Sequence, residues 1–326
     1  LIKITTGYLN LGLTYYEKKD YRNALFYLFK SQKLKQKFKL PDNAYLYLNL
    51  AKVYVKSKDY VNAEGYFQQS IELFNKEQGF EYYRITSALF DYGIFLNSIG
   101  RNQEALNIYQ KALAICIKNY GAKHPFVSLA YKHLGDYFYN ESNYREALQY
   151  YQKSLIAVVN DFNDTSIFSN PSISSAIFNY RLLDNLKSKS QALKMLALQQ
   201  QKTNQLKVME HSHETINLAL QLIERIRNDN ASYDSKLYLA ENEKATYLSA
   251  IEISKEIYTL TDDPAYIEKM YSISTLSKSR VLSDEVNENE ILYSKSSPDS
   301  ILIQRNSLRM QISSYNKLIQ DESQKA

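Results

Sequence analysis

Cysteine is almost missing from this sequence. Cys116 stands alone, which excludes an intrachain disulfide framework and any zinc site built on cysteine pairs. Glycine and proline are scarce, at 8 and 5 of 326 residues, too few for the turns of an all-β protein. No apolar run approaches the roughly 18 residues of a membrane-spanning helix. No glycine pattern runs into Lys-Ser or Lys-Thr, so a phosphate-binding loop is not expected. What remains is 44% hydrophobic and 23% charged, apolar enough to bury a core and charged enough to stay in solution. An all-helical chain in a reducing, cytoplasmic setting is the expectation. The chain opens on Leu1 rather than Met, so its start is read as trimmed, with room for a processed leader before it.

The net charge of +5 is uneven: residues 1–160 carry 21 basic and 13 acidic side chains, residues 161–326 carry 19 and 22. Lys30, Lys33, Lys35, Lys37 and Lys39 are the densest basic run. Such a stripe suits a nucleic-acid or membrane surface, and equally a solvated helix end. Without a groove-reading motif the second reading is preferred.

One phrase recurs. Asp20-Tyr21-Arg22-Asn23-Ala24-Leu25, Asp59-Tyr60-Val61-Asn62-Ala63-Glu64 and Asn143-Tyr144-Arg145-Glu146-Ala147-Leu148 are copies of it, with Arg101-Asn102-Gln103-Glu104-Ala105-Leu106 a weaker fourth. Twelve residues before each alanine stands Gly12, Ala51, Gly93 or Gly135, in steps of 39, 42 and 42 residues. Each unit reads as two antiparallel helices, A and B, the small residues marking their close approach. Tyr8, Leu11 and Tyr15, Tyr47, Leu50 and Tyr54, Leu89, Tyr92 and Leu96, and Tyr131, Leu134 and Phe138 supply the helix A stripe. Leu28, Phe67, Tyr109 and Tyr151 face them from helix B. This pattern resembles the tetratricopeptide repeat in the lengthened form, near 42 residues, of kinesin light chains and many bacterial proteins. The resemblance implies a right-handed α-α superhelix, a TPR solenoid. Helix pairs are expected around 5–37, 42–78, 82–120 and 124–159.

Beyond the polar segment from Asn160 to Ser174 the helical period continues with fewer small residues. Two degenerate pairs are expected within 161–283, roughly 171–228 and 234–283. A Ser-rich connector over 284–300 follows, then a coiled-coil-like terminal helix over 301–326. Ile167-Phe168-Ser169-Asn170-Pro171, Lys189-Ser190-Gln191-Ala192-Leu193, Ala219-Leu220-Gln221-Leu222-Ile223, Ser235-Lys236-Leu237 and Ser277-Lys278-Ser279-Arg280-Val281-Leu282 follow in an order similar to the helical region preceding the CHAT domain of bacterial tetratricopeptide proteins. The CHAT domain is a caspase- and separase-like peptidase module. The resemblance implies a catalytic domain beyond Ala326 that this region would regulate.

Candidate chemistry within the chain is thin. Cys116 lies in an apolar helix B and reads as a core residue. His211 and His213 sit two apart on a helix and face different sides, so they do not suit one metal. His133 is expected at the inner surface, solvated or touching a ligand. No catalytic residue, metal or cofactor is expected, and the chain is read as a binding protein rather than an enzyme. In such a solenoid the A helices line the concave face. The resemblance places Leu13, Tyr16 and Glu17, Lys52, Val55 and Lys56, Ile94 and Asn97, and Lys132, Asp136, Tyr139 and Asn140 there. An extended peptide with apolar anchors and some acidic residues is the expected partner. The regulatory arm of a CHAT-type peptidase is the first functional reading, a free-standing adaptor the alternative, and nucleic-acid binding the least favoured.

Overall fold

The computed structural model describes residues 1–41, 43–76, 82–173, 178–229, 233–276 and scattered positions between 303 and 314. The 284–300 connector and most of the terminal helix expected over 301–326 lie outside the described residues, as does the phrase beginning at Ser277. The described residues are helical or irregular, with no strand among them. The chain divides into two compact units, Leu1–Ala122 and Lys123–Ala326.

The first unit holds α1 (Ile2–Glu17), α2 (Tyr21–Lys37), α3 (Ala44–Lys56), α4 (Tyr60–Lys76), α5 (Tyr82–Ser98) and α6 (Asn102–Tyr120). They pack as hairpins, α1 on α2, α3 on α4 and α5 on α6, while α1, α3 and α5 also touch in succession as an inner layer. The first residue of the repeated phrase is a cap. Asp20 and Asp59 accept from the backbone N–H of Asn23 at 3.1 Å and of Asn62 at 3.2 Å, satisfying donors that a helix start leaves open. Each preceding inner helix ends with a left-handed residue, Lys19, Lys58 or Gly100. There Asp20 N–H reaches Tyr15 O at 2.9 Å and Asp59 N–H reaches Tyr54 O at 3.0 Å, a Schellman closure. Arg101 has replaced the cap; its guanidinium bridges Glu64 and Glu104 at 2.6–2.8 Å.

The small residues meet side chains rather than backbone alone. A Cβ added at Gly12 would stand 2.7 Å from Leu28 Cγ, and one at Gly93 would collide with the Tyr109 ring. Ala24, Ala63 and Ala105 are fully buried. A second crossing point lies seven residues further along each outer helix. There Ser31 and Ser70 are buried and donate to Thr5 O at 2.9 Å and Ala44 O at 2.8 Å.

Aromatic triads close the hairpins. Tyr27 lies between Tyr8 and Tyr15, with Tyr15 parallel to it at 5.3 Å. Tyr66 lies between Tyr47 and Tyr54, with Tyr54 parallel at 5.5 Å. Each stack contributes about 0.5–1.5 kcal/mol beyond burial, which gives some of the tyrosines a packing role. Leu11, expected in the α1 stripe, is instead 42% exposed, on a helix that packs against α2 and α3.

The second unit holds α7 (Pro125–Asn140), α8 (Tyr144–Val158), α9 (Asn179–Leu198), α10 (Lys202–Asp229), α11 (Tyr233–Thr261) and a helical segment over 265–276. The hairpin α7–α8 repeats every device of the first unit. Asn143 caps α8, Phe138 stacks parallel to Tyr150 at 5.3 Å, and Ser154 donates to Ser128 O at 2.6 Å. Helices α9 and α10 form the next hairpin, and α11 packs on α10. Their close approach uses hydrogen bonds: Ser190 and Ser212, both fully buried, each donate to the other's carbonyl at 2.9 and 2.8 Å.

The described residues 159–173 between α8 and α9 have no regular structure yet are held at many points. Lys123 Nζ donates to Val159 O and Phe162 O at 2.9 and 2.7 Å. Gln152 reaches Asp164 O at 2.6 Å, and Arg225 donates to Ile173 O. Lys189 is fully buried and donates to Gln152 Oε1 at 2.7 Å, to Asn170 Oδ1 at 3.1 Å and to Ser169 O.

Candidate functional site

In the second unit α7 touches α9 and α9 touches α11, forming an inner layer backed by α8 and α10. A cleft of about 320 Å³ opens on it. Asp136 and Tyr139 of α7, Lys187, Ser188 and Gln191 of α9, and Ala245, Thr246 and Ser249 of α11 form its walls, with Tyr151 of α8 and Ile216 of α10 also lining it.

The register of α7 decides what faces this cleft. Gly135 lets the Tyr151 ring lie against the helix, since a Cβ there would stand 2.5 Å from Tyr151 Cε1. The Tyr151 hydroxyl then donates to Asp136 Oδ1 at 2.8 Å. Burial, aided by that carboxylate, raises the tyrosine above its ordinary value. Lys132 Nζ donates to Asp136 Oδ2 at 2.8 Å. Across the cleft, α9 and α11 are laced by a ladder: Lys187 to Glu243 at 2.9 Å, Gln191 Nε2 to Ser249 Oγ at 2.8 Å, and Lys194 to Glu252 at 2.8 Å. Thr246 Oγ1 donates to Glu243 Oε2 at 2.6 Å, and Asp184 stands 3.7 Å from Lys187. Every charge described here is partnered, so the cleft presents hydroxyls, an amide, tyrosine rings and neutralised ion pairs.

Of the residues expected on the inner face, Asp136 and Tyr139 line this cleft, and Lys132 is bound to Asp136. Asn140 is exposed at the end of α7. In the first unit Leu13, Tyr16, Lys52, Val55 and Asn97 are half-buried, while Glu17, Lys56 and Ile94 are exposed. Lys52 pairs with Asp91 at 3.4 Å. Burial raises the Asp91 carboxyl, and burial first, with the charges of Glu17 and Asp91 adding to it, raises Tyr16. Two of the three lysines that suggested an acidic ligand, Lys52 and Lys132, are therefore already neutralised.

The sequence reading did not extend to Lys187, Gln191, Glu243, Thr246 and Ser249. A signal was available on α9: Lys187, Gln191 and Lys194 stand at −3, +1 and +4 from Ser190, as Lys132, Asp136 and Tyr139 do from Gly135. His133, for which solvent was the preferred surrounding, is desolvated; burial lowers it to about 4. His211 Nδ1 lies 3.1 Å from Glu214, and its ring stacks on Phe168 at 4.7 Å. His213 packs against Tyr266 at 5.5 Å and is lowered to about 4, chiefly by burial. Cys116 is fully buried, and burial pushes its thiol up to about 12. In the basic run, Lys30 lies 4.4 Å from the Phe26 ring centre, and Lys35 donates to Pro41 O at 2.8 Å.

Tetratricopeptide-repeat family models match residues 5–38, 46–77 and 83–155. The first half of the chain carries tetratricopeptide repeats. The fold is shared with the solved structure of BtubC (BKLC) from P. vanneervenii, at 13% identity and a TM-score of 0.51 over 66% of this chain and 78% of that one. Kinesin light chain TPR-like repeats from Podosopora anserina superpose at 14% identity and a TM-score of 0.45, covering 71% of this chain and 95% of theirs. The apo form of RapI gives 14% identity and a TM-score of 0.49, covering 98% and 99%. No curated protein matches the chain. Among the described residues, no helix is long and apolar enough to cross a membrane.

Proposed function

We propose that the chain is a protein-interaction scaffold whose second unit receives an extended peptide segment of a partner across α7, α9 and α11. The observation that carries this reading is the cleft itself. It joins tyrosine surface to hydroxyl and amide groups on three successive inner helices, the combination that orients a chain with few polar contacts. Binding rather than catalysis is favoured because the one thiol is sealed in the first unit and raised to about 12, while His133 and His213 are both held near 4. The corresponding inner residues of the first unit, Tyr16, Lys52, Val55 and Ile94 among them, belong to the same reading as a second, separate contact surface.

Within that role the chain serves as the regulatory arm of a larger CHAT-type peptidase, with a free-standing adaptor as the alternative. The support is the ordered set of phrases from Ile167 onward. Two of them meet in space, since Lys189 binds Ser169 O and Asn170 Oδ1. Coding sequence beyond Ala326 that encodes alternating strands and helices with a His and a later Cys would agree with the arm; an early stop codon would leave the adaptor.

The binding reading is tested by placing a photo-crosslinking amino acid at Gln191, in the cleft, or at Gln221, exposed on α10. Adducts from position 191 that disappear in Tyr139→Glu are expected. Adducts from position 221 with none from 191 would move the contact surface elsewhere.

A further inference from the structure

A second cavity in this unit, of about 340 Å³, opens on the outer helix α8 and shares no lining residue with the cleft. Arg145, Gln149, Lys153 and Ile156 follow one another at steps of four, four and three residues and so share one stripe of α8. Thr165 and Ile167 of the irregular segment after α8 form the facing wall. Gln152 fixes the floor: it is buried, its Nε2 donates to Asp164 O at 2.6 Å, and its Oε1 accepts from Lys189 at 2.7 Å. The polar side chains above it are exposed and uncommitted. Among the described residues Arg145, Gln149 and Thr165 have no hydrogen-bond or ion-pair partner, and Lys153 has only the Tyr150 ring, whose centre lies 4.9 Å from its Nζ.

No carboxylate lines this cavity. The acidic residues nearest in sequence act on other groups: Glu141 on Tyr137, and Asp161 on Lys123. Asp164 accepts from Ser166 N–H at 2.8 Å and acts on buried Lys189. Glu146 acts on Tyr150 and forms no ion pair with Arg145 or Lys153. Two cations and two neutral side chains able to donate, none of them used by the protein, make a donor set for an oxyanion. Arg145 and Lys153 stand two helical turns, about 12 Å, apart with Gln149 between them, so side chains of their length can converge on one group. We infer that this cavity receives an anionic side chain of a partner protein, a carboxylate or a phosphoryl group, with the next apolar residue of that partner seated on Ile156 and Ile167. Charge complementarity selects the anion, and the two isoleucines select its neighbour. The acidic partner suggested by the lysines of the inner face thus finds its free cations on an outer helix, because Lys52 and Lys132 are already paired. The site stands independently of the peptide cleft.

The test passes three pools of end-capped nine-residue peptides over the immobilised intact chain. Each pool is random in uncharged residues around a fixed central pair: Glu-Leu, phosphoserine-Leu or Gln-Leu. At least one anionic pool should be retained tenfold or more better than the Gln-Leu pool, the better of the two naming the source of the anion, and the advantage should shrink as salt rises. Arg145→Gln combined with Lys153→Gln, with helicity unchanged by circular dichroism, should erase the advantage. Thr165→Glu, which puts a carboxylate into the cavity from the facing wall, should do the same. Lys33→Gln combined with Lys37→Gln removes as much charge from the exposed basic run of the first unit and should leave the advantage intact. No advantage for either anionic pool would overturn the inference. So would an advantage that survives in the Arg145 and Lys153 variant, or one lost equally in both double variants, which would mark general attraction to a basic surface.

Discussion

Substituting alanine for glycine should change sign along this chain according to what faces the missing Cβ. At Gly135 an added Cβ would stand 2.5 and 2.6 Å from Cε1 and Cδ1 of Tyr151. Carbon atoms settle at about 3.5–4.0 Å, so the ring must retreat by about 1 Å. It has little room: Tyr151 is 2% exposed, and its hydroxyl is held by Asp136 at 2.8 Å. Overpacking of this kind costs about 1–3 kcal/mol, offset by about 1 kcal/mol from the better helix propensity of alanine. Gly135→Ala should therefore lose up to about 2 kcal/mol and gain nothing. At Gly65 nothing lies within 4 Å of the added atom, so Gly65→Ala should gain about 0.5–1 kcal/mol. The second repeat suggests the rescue, because it carries buried Ala51 and Phe67 at the positions of Gly135 and Tyr151, and Phe67 has no hydroxyl to tether it. In a Tyr151→Phe background Gly135→Ala should cost on the order of 1 kcal/mol less. Urea denaturation followed by circular dichroism gives the signs, and amide exchange in α7 and α8 localises the effect. Gains at both glycines, or a cost at Gly135 unchanged by Tyr151→Phe, would refute the packing argument.

Three further expectations concern burial. Ala105→Leu or Ala147→Leu should overpack a fully buried crossing point by about 1–3 kcal/mol, and an unchanged denaturation midpoint would count against the register. His133 is lowered by burial to about 4 from an ordinary 6.5. The unfolded chain thus binds a proton in that window that the folded chain refuses, and stability should fall as pH drops from 6.5 toward 4. His133→Gln should make that limb shallower without abolishing it, because His213 is also lowered to about 4; an unaltered limb would contradict the burial. Lys189 is lowered by burial to about 7 from 10.5, so the folded chain sheds a proton the unfolded chain keeps. Its contribution should rise between pH 7 and 10.5, by at most about 1.4 kcal/mol per pH unit. Lys189→Met should remove the rise, and a slope identical to the parent would show that Lys189 keeps its ordinary value.

The tetratricopeptide hairpins were legible because their contacts are local in sequence. A small residue and an alanine stand twelve residues apart in each of the four copies, as Gly135 and Ala147 do, and the aromatic positions around them recur with helical spacing. The triads were half visible: Tyr8, Tyr15 and their equivalents marked the stripe, but the outer-helix ring between them, Tyr27, Tyr66 or Tyr150, needed the structure. The buried serines at the second crossing point read as ordinary polar residues, since their partners are carbonyls 26 residues away. The cleft lay deeper. Most of it belongs to α9 and α11, and in the α9–α10 hairpin Ser190 and Ser212 replace the glycine-and-alanine mark with reciprocal hydrogen bonds, so the register is lost to pattern reading. The order of the segment before α9 comes from Lys123, Gln152, Lys189 and Arg225, none of them local to it.

The scaffold account stands most directly on whether the inner face of the second unit is where a partner lies. Solvent exchange at α7, α9 and α11, compared with the outer helices α8 and α10, would be measured by hydrogen–deuterium exchange on the chain alone and with a saturating pool of random nine-residue peptides. The account predicts protection concentrated at residues 132–140, 187–194 and 243–252. Protection confined to α8 and α10, with the inner helices unchanged, would contradict it.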